Sequence, residues 1–121
     1  MKKSSENEQL AAETPCGVKT TMSVIGGKWK IRIIYALYSE INRFGVMHRH
    51  IQNISKKMLT DSLRELEADG IIHREVFAEV PPRVEYSLTE LGESLHKIIH
   101  ELNDWGLKNG DRLQTPESIH C

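Results

Sequence analysis

Residues 54–70 read ISKKMLTDSLRELEADG, and this stretch decides the predicted fold. Leu59, Leu63 and Leu66 recur at spacings of four and three residues, which aligns them along one side of an α-helix. Ser55 is a favourable N-cap residue and Gly70 is a helix stop, so the helix has a defined beginning and end. The stretch therefore predicts an amphipathic helix with an apolar side toward the core and a charged side turned outward.

Three shorter helices are predicted before this one. Apolar residues at helical spacing favour a helix at residues 17–25, which the following glycine pair ends, and another at residues 28–38. Asn42 is a suitable cap for a third, short helix that carries Met47 and Ile51 on its apolar side. Residues 52–54 then form only a brief turn, so the third and fourth helices make a helix-turn-helix.

Two short strands are predicted after Gly70. Residues 71–77 are rich in branched and aromatic side chains, and residues 83–88 alternate apolar with polar side chains. The connection between them contains Pro81 and Pro82, which stiffen it and remove two amide donors, so the tip of the hairpin should project. A hairpin in this position is the wing of a winged helix-turn-helix.

The last helix is predicted to be long and continuous. Thr89 caps it, and apolar side chains then recur at heptad spacing, at Leu91, Leu95, Ile98, Leu102 and Trp105. The predicted fold class is mainly α with a small antiparallel β-hairpin, a winged helix-turn-helix with added N- and C-terminal dimerisation helices. Residues 1–15 are expected to be a flexible leader, residues 16–107 the domain, and residues 108–121 a loose tail.

Composition excludes several classes of protein. The 121 residues are 39% hydrophobic and 27% charged, as expected for one globular domain. No apolar run approaches the roughly 20 residues that a membrane-spanning helix needs, and the N-terminus lacks a secretory signal. Cys16 and Cys121 lie at opposite ends of the chain, which is no disulfide framework, so a cytoplasmic location is expected.

No enzyme signature is found in the sequence. It contains no nucleophile elbow, phosphate-binding loop or paired acids that chemistry could use, so we do not expect an enzyme. His96 and His100 are four residues apart, a spacing that can hold a metal, but no third ligand is evident nearby. Neither a metal nor a cofactor is therefore predicted.

The distribution of charge favours duplex DNA as a partner. The formal net charge of −1 conceals a basic segment, because five basic side chains and one carboxylate lie between Arg43 and Arg64. A charge run is most often a solvated helix face, but this one follows a turn and opposes a leucine stripe, the arrangement that seats a helix in the major groove. The predicted DNA-binding residues are Arg43, Arg49, Ser55, Lys56, Lys57, Thr60, Asp61, Arg64 and Arg83.

Different roles are expected within this set. The lysines should contact phosphate, whereas Thr60, Asp61 and Arg64 lie further along the helix and should reach base edges. Arg83 follows the two prolines and should anchor the wing on neighbouring phosphates.

A second copy of the chain is the other predicted partner. The winged unit is complete at Leu88, so apolar residues beyond it and on the first helix are expected to meet another subunit. The predicted dimer-interface residues are Met22, Ile25, Ile98, Leu102 and Trp105. Such a pair should prefer an inverted repeat in DNA; packing against the protein's own core is the alternative, above all for Leu91 and Leu95.

Three blocks of sequence together are specific for one family. They are residues 25–30, IGGKWK, residues 54–70 as quoted above, and residues 79–89, EVPPRVEYSLT. On these blocks the chain resembles the HxlR-type family of bacterial winged helix-turn-helix regulators, from about Cys16 to Gly106. The resemblance implies a dimeric, DNA-binding transcription regulator. Some members respond to electrophiles or oxidants through a cysteine before the first helix, which implies Cys16 as a redox-sensing candidate.

Two alternatives remain at the level of sequence. Cys16 can be an inert thiol beside a leader, and the domain can be a winged-helix protein–protein interaction module without DNA binding. A steep fall of duplex affinity with salt separates DNA binding from that module, because phosphate contacts release counterions.

Overall fold

The computed structural model describes residues 13–113, so most of the predicted leader, the end of the tail and Cys121 lie outside the described residues. Its helices are α1 Cys16–Ile25, α2 Lys30–Tyr38, α3 Phe44–His50, α4 Lys56–Ala68, α5 Glu90–Glu93 and α6 His96–Asn109. Strands β1 Ile72–Phe77 and β2 Arg83–Leu88 lie between α4 and α5, and a single 3-10 turn, Gly110–Arg112, follows α6. This order is a winged helix-turn-helix, which confirms the predicted fold class.

One hydrophobic core joins the helices to the hairpin. The three leucines of the α4 stripe are at most 2% exposed, as their spacing predicts. The core residues come from every helix except α5, and from the segments between them: Ile25, Ile33, Ile34, Ala36, Leu37, Met47, Ile51, Ile54, Leu59, Leu63, Leu66, Ile71, Ile72 and Ile99. Burial of this much apolar surface is the main stabilising term for the domain.

An ion pair joins α4 to α2, and a glycine ends α4. Lys30 Nζ of α2 lies 2.9 Å from Glu65 Oε2 of α4, and the lysine side chain is largely buried. Gly70 follows α4 with φ +75°, in the left-handed region that favours glycine at a helix end. The predicted bounds of this helix therefore agree with the structure to within a residue.

The wing is a regular antiparallel hairpin. Its register runs from Ile72 opposite Leu88 to Phe77 opposite Arg83. Thr89 follows β2, and its Oγ1 donates to the Gly70 carbonyl at 2.6 Å while accepting from Gly92 N–H at 3.1 Å. Thr89 thus caps the next helix and ties it to the end of α4.

The prediction of one long, continuous C-terminal helix is wrong in one respect. The helix is interrupted at Ser94 and Leu95, which separate α5 from α6. Gly92 packs so closely on the hairpin that an added Cβ would lie 2.3 Å from the Ile71 carbonyl oxygen. The Gly92 carbonyl also accepts a hydrogen bond from the Tyr38 hydroxyl at 3.1 Å, which competes with the helical ladder. Leu91 and the later seam residues therefore do not lie on one continuous helix.

The second part of this helix extends further than the sequence predicts. Helix α6 continues to Asn109 and passes into the 3-10 turn, although the tail was expected to loosen at residue 108. Ile99 turns into the core and is 2% exposed, a position that the heptad pattern does not include. Within residues 13–113, no helix is long and apolar enough to cross a membrane.

Candidate nucleic-acid interface

The turn between α3 and α4 is held by apolar anchors. Ile51 and Ile54 are buried, and Asn53 between them has φ +67°, a left-handed conformation that asparagine tolerates. Ser55 is the N-cap of α4, and its Oγ accepts a hydrogen bond from the Met58 amide at 3.0 Å. Ser55 therefore fixes where α4 begins, at a helix N-terminus whose amides favour a phosphate.

Helix α4 is two-sided, as its sequence predicts. Lys56, Lys57 and Arg64 are exposed, and Thr60 and Asp61 are half-buried. The buried leucine stripe occupies the opposite side and holds α4 on the core. The cationic side is consequently turned away from the protein and is accessible to a partner.

Two of the predicted contacts are already joined to each other. Lys57 Nζ lies 2.7 Å from Asp61 Oδ2, one helical turn away, and both side chains are substantially exposed. Exposed ion pairs of this kind contribute only about 0.3 to 0.5 kcal/mol, so a phosphate can displace the carboxylate at little cost. Lys57 therefore remains a predicted phosphate contact that can form at a small energetic cost.

The two arginines of the third helix differ in their surroundings. Arg49 lies on α3 and is exposed. Arg43 is the N-cap residue of α3, and its Nη2 lies 3.6 Å from Glu85 Oε2 on the wing. Arg43 is therefore shared with the wing.

The guanidinium of Arg83, a predicted phosphate contact, is occupied within the wing. Nε and Nη2 each donate to the Glu79 carboxylate at 3.2 Å, Nη1 donates to Glu85, and the guanidinium carbon lies 3.8 Å from the centre of the Phe77 ring. The hydrogen bond to Glu79 is the largest of the causes that raise the pKa of Arg83. Arg83 therefore braces the hairpin tip, and it would have to leave one of these carboxylates to contact phosphate.

A cleft of about 340 Å³ between α4 and the wing is lined by an arginine that is not among the predicted DNA-binding residues. Arg74 of β1 lines it together with Thr60 and Arg64, and Glu67 offsets part of the positive charge. Arg74 lies two residues after the buried Ile72, so strand alternation places both side chains on the same face of β1. The cleft brings two guanidinium groups close to the outward side of α4.

The predicted dimer residues fall into two groups. Met22, Ile98, Leu102 and Trp105 are all large apolar side chains with 43% or more of their surface exposed. Ile25 is only 2% exposed and belongs to the core, so its assignment to a dimer surface is corrected. It ends α1 and turns inward beside the glycines, a difference that helical spacing alone does not reveal.

The remaining candidates lie apart from α4. Cys16 is exposed at the first position of α1. The rings of His96 and His100 are 4.9 Å apart, and His96 also contacts the Tyr38 ring edge-on at 4.6 Å. No group of three metal-ligating side chains occurs in the part of the chain that the structure describes.

Relatives of this chain are regulators of transcription. A model of the HxlR-like helix-turn-helix family matches residues 24–114. The uncharacterized HTH-type transcriptional regulator YdeP of Bacillus subtilis (strain 168) is 48% identical over 103 residues, which cover 85% of this chain and 80% of YdeP. The regulator YkvN of the same organism, also uncharacterized, is 52% identical over 91 residues, covering 75% and 77%.

Solved structures share the same architecture. The redox regulator HypR in its reduced form superposes with a TM-score of 0.77 at 48% identity, covering 81% of this chain and 97% of that one. The reduced form of the transcriptional regulator YodB from B. subtilis gives a TM-score of 0.67 at 34% identity, covering 78% and 92%. The chain belongs to the HxlR-like helix-turn-helix family of transcriptional regulators.

Proposed function

We propose that this chain binds duplex DNA sequence-specifically through α4, as a homodimer on an inverted repeat, and thereby regulates transcription. The observation that carries the proposal is the exposed cationic side of α4, which lies directly after the turn and opposite a fully buried leucine stripe. The major groove of B-DNA is about 12 Å wide and admits one such helix.

The contacts along α4 divide by position. Lys56 and Lys57 lie in its first turn, beside the helix N-terminus, where phosphate contacts are favoured. Thr60, Asp61 and Arg64 lie further along and are the base-reading residues in this proposal, with Asp61 accepting from a cytosine amino group once Lys57 turns to phosphate.

Cations outside α4 add to the phosphate contacts. Arg49 on α3 is exposed. The first helix of such a motif crosses the DNA backbone, so we expect Arg49 to contact phosphate. Arg74 shares the cleft with Arg64, so we infer that it contacts phosphate from the wing.

The homodimer is supported by apolar side chains on two helices. Met22 of α1 is 53% exposed, and Ile98, Leu102 and Trp105 of α6 recur at heptad spacing on an exposed side of that helix. A second copy that covers them would place two α4 helices about 34 Å apart, one turn of DNA, and so select an inverted repeat. A monomeric mass by light scattering at micromolar concentration would contradict this part of the proposal.

A response to oxidants is proposed for Cys16. Its thiol is exposed at the start of α1, and HypR, which superposes on most of this chain, is described as a redox regulator. Because Met22 is on the same helix, a change at Cys16 can alter how two subunits pack. Diamide treatment should change the duplex affinity of the wild type and not that of Cys16→Ser; equal affinities before and after treatment for both proteins would contradict it.

The experiment that tests DNA binding is a salt titration with a duplex selected by the wild-type chain from a random pool. Three or four exposed cations per subunit predict a slope of about −5 to −7 for the logarithm of affinity against the logarithm of salt concentration. Binding that is absent, or that does not depend on salt, would contradict the proposed function and favour a protein-interaction module.

A further inference from the structure

Glu85 is the point at which the wing is joined to the start of α3. It lies in the middle of β2, and its side chain is 24% exposed. Its Oε1 accepts a hydrogen bond from Asn42 Nδ2 at 3.4 Å, and its Oε2 lies 3.6 Å from Arg43 Nη2. The backbone reinforces this junction, because the Tyr86 amide donates to the Asn42 carbonyl at 2.8 Å.

The same carboxylate also receives Arg83 from its own strand. Arg83 Nη1 donates to Glu85, so one carboxylate oxygen is shared by an arginine of the wing and an arginine of the helix-turn-helix. Arg43 in addition lines a depression at the hairpin tip together with Val80, Pro81 and Pro82. The position of the tip and the position of Arg43 are therefore coupled through one side chain.

The charges of this cluster cancel. Two guanidinium groups, those of Arg43 and Arg83, face the carboxylates of Glu79 and Glu85. A carboxylate that is paired with an arginine lowers the affinity of that arginine for phosphate. Phosphate contacts nevertheless depend on geometry, since they set the register of a protein on the duplex.

We propose that Glu85 is a positioning residue that fixes the wing and Arg43 relative to α4, so that it increases discrimination between DNA sequences while reducing affinity for DNA in general. This inference rests on the proposed function, because it concerns how the same interface distinguishes a matched duplex from an unmatched one. Arg43 held by Glu85 can meet a phosphate in only one register, whereas a released Arg43 and wing can adapt to any duplex.

The variant that tests this role is Glu85→Gln. It keeps an oxygen that can accept from Asn42, but it removes the charge that pairs with Arg43 and with Nη1 of Arg83. Arg83 stays bound to Glu79 in this variant, so Arg43 is the arginine that is released. We expect affinity for a scrambled duplex to rise by about two- to five-fold with a steeper salt slope, because Arg43 is released toward phosphate. The ratio of matched to scrambled affinity should fall by about five- to ten-fold, the size of a typical interaction between sites.

Glu75→Gln is the matched control. Glu75 lies directly opposite Glu85 on β1, so the change in charge and its place in the sheet are the same. In residues 13–113, no hydrogen bond or ion pair joins Glu75 to either arginine. The control should raise affinity for both duplexes equally and leave their ratio unchanged.

A second variant keeps every charge in place. Asn42→Ala removes only the amide that donates to Glu85, so it should lower the ratio of matched to scrambled affinity with a salt slope equal to that of the wild type. If circular dichroism shows that Glu85→Gln is unfolded, Asn42→Ala alone tests the positioning role.

The measurement is fluorescence anisotropy of the full chain with a duplex selected by the wild type and with a scrambled duplex of the same length. A lower ratio in Glu85→Gln and Asn42→Ala, together with an unchanged ratio in Glu75→Gln, supports the positioning role. If Glu85→Gln and Glu75→Gln change both affinities alike, or if Asn42→Ala discriminates as well as the wild type, the role is refuted. Wild-type protein that binds neither duplex refutes the proposed function itself.

Discussion

Alanine at Lys57 and alanine at Arg64 should weaken DNA binding in different ways. Lys57 must leave Asp61, 2.7 Å away, before it can contact phosphate, and that exposed pair is worth about 0.3 to 0.5 kcal/mol. We therefore expect Lys57→Ala to reduce affinity only about two- to five-fold. The loss should be the same on every sequence, and the salt slope should become shallower by about one for each phosphate contact removed.

Arg64→Ala removes a residue that the proposal places against base edges. Arg64 is exposed on the third turn of α4. A guanidinium that enters the major groove can make a bidentate contact with guanine. The expected loss is about 1 to 3 kcal/mol for each half-site on the matched duplex. A scrambled duplex should lose much less, because only the phosphate part of the contact is removed there.

Anisotropy titrations of both variants against matched and scrambled duplexes, over about 50 to 300 mM salt, measure these losses separately. The wild type titrated beside them supplies the reference ratio. Equal losses on both duplexes for both variants would show that Arg64 contacts phosphate only and that base reading lies elsewhere.

Three further predictions concern stability and assembly. Gly92→Ala should destabilise the fold by about 1 to 3 kcal/mol in urea unfolding, since its Cβ would lie 2.3 Å from the Ile71 carbonyl oxygen; an unchanged midpoint would contradict this close approach. Burial, and then the carboxylate of Glu93, raises the pKa of Tyr38 above its unfolded value. The contribution of the neutral Tyr38 hydroxyl to stability is therefore complete below about pH 10 and is lost as pH rises through the pKa of the folded state. The difference in unfolding free energy between the wild type and Tyr38→Phe should be constant below that pH and shrink above it. A difference that stays constant at every pH would refute the raised pKa. Trp105→Glu places a charge on a side chain that is 60% exposed, so it should give a monomer by light scattering with the helical signal of the wild type; a dimer of unchanged mass would remove Trp105 from the interface.

Much of the helix-turn-helix could be predicted from sequence because its signals are local. The leucine spacing, the cap at Ser55 and the stop at Gly70 act within one segment, and α4 has the bounds that they predict. The two strands are likewise found where alternation and the proline pair place them.

The errors concern residues whose neighbours are distant or belong to another element. Ile25 and Met22 are both apolar at helical spacing, and only the packing of α1 shows that one is buried and the other exposed. The break before α6 follows from the contact of Gly92 with the hairpin, which no periodicity reports. The pairing of Arg83 with Glu85, by contrast, could have been predicted, because the two residues are two positions apart on the same side of the strand.

The central claim is that two copies of α4 occupy successive major grooves of one duplex. Hydroxyl-radical footprinting of the wild-type chain on a selected duplex tests it most directly. Two bound copies of α4 should give two symmetric protected stretches whose centres are about 34 Å apart, one turn of the double helix. A single protected stretch, or none, would contradict it.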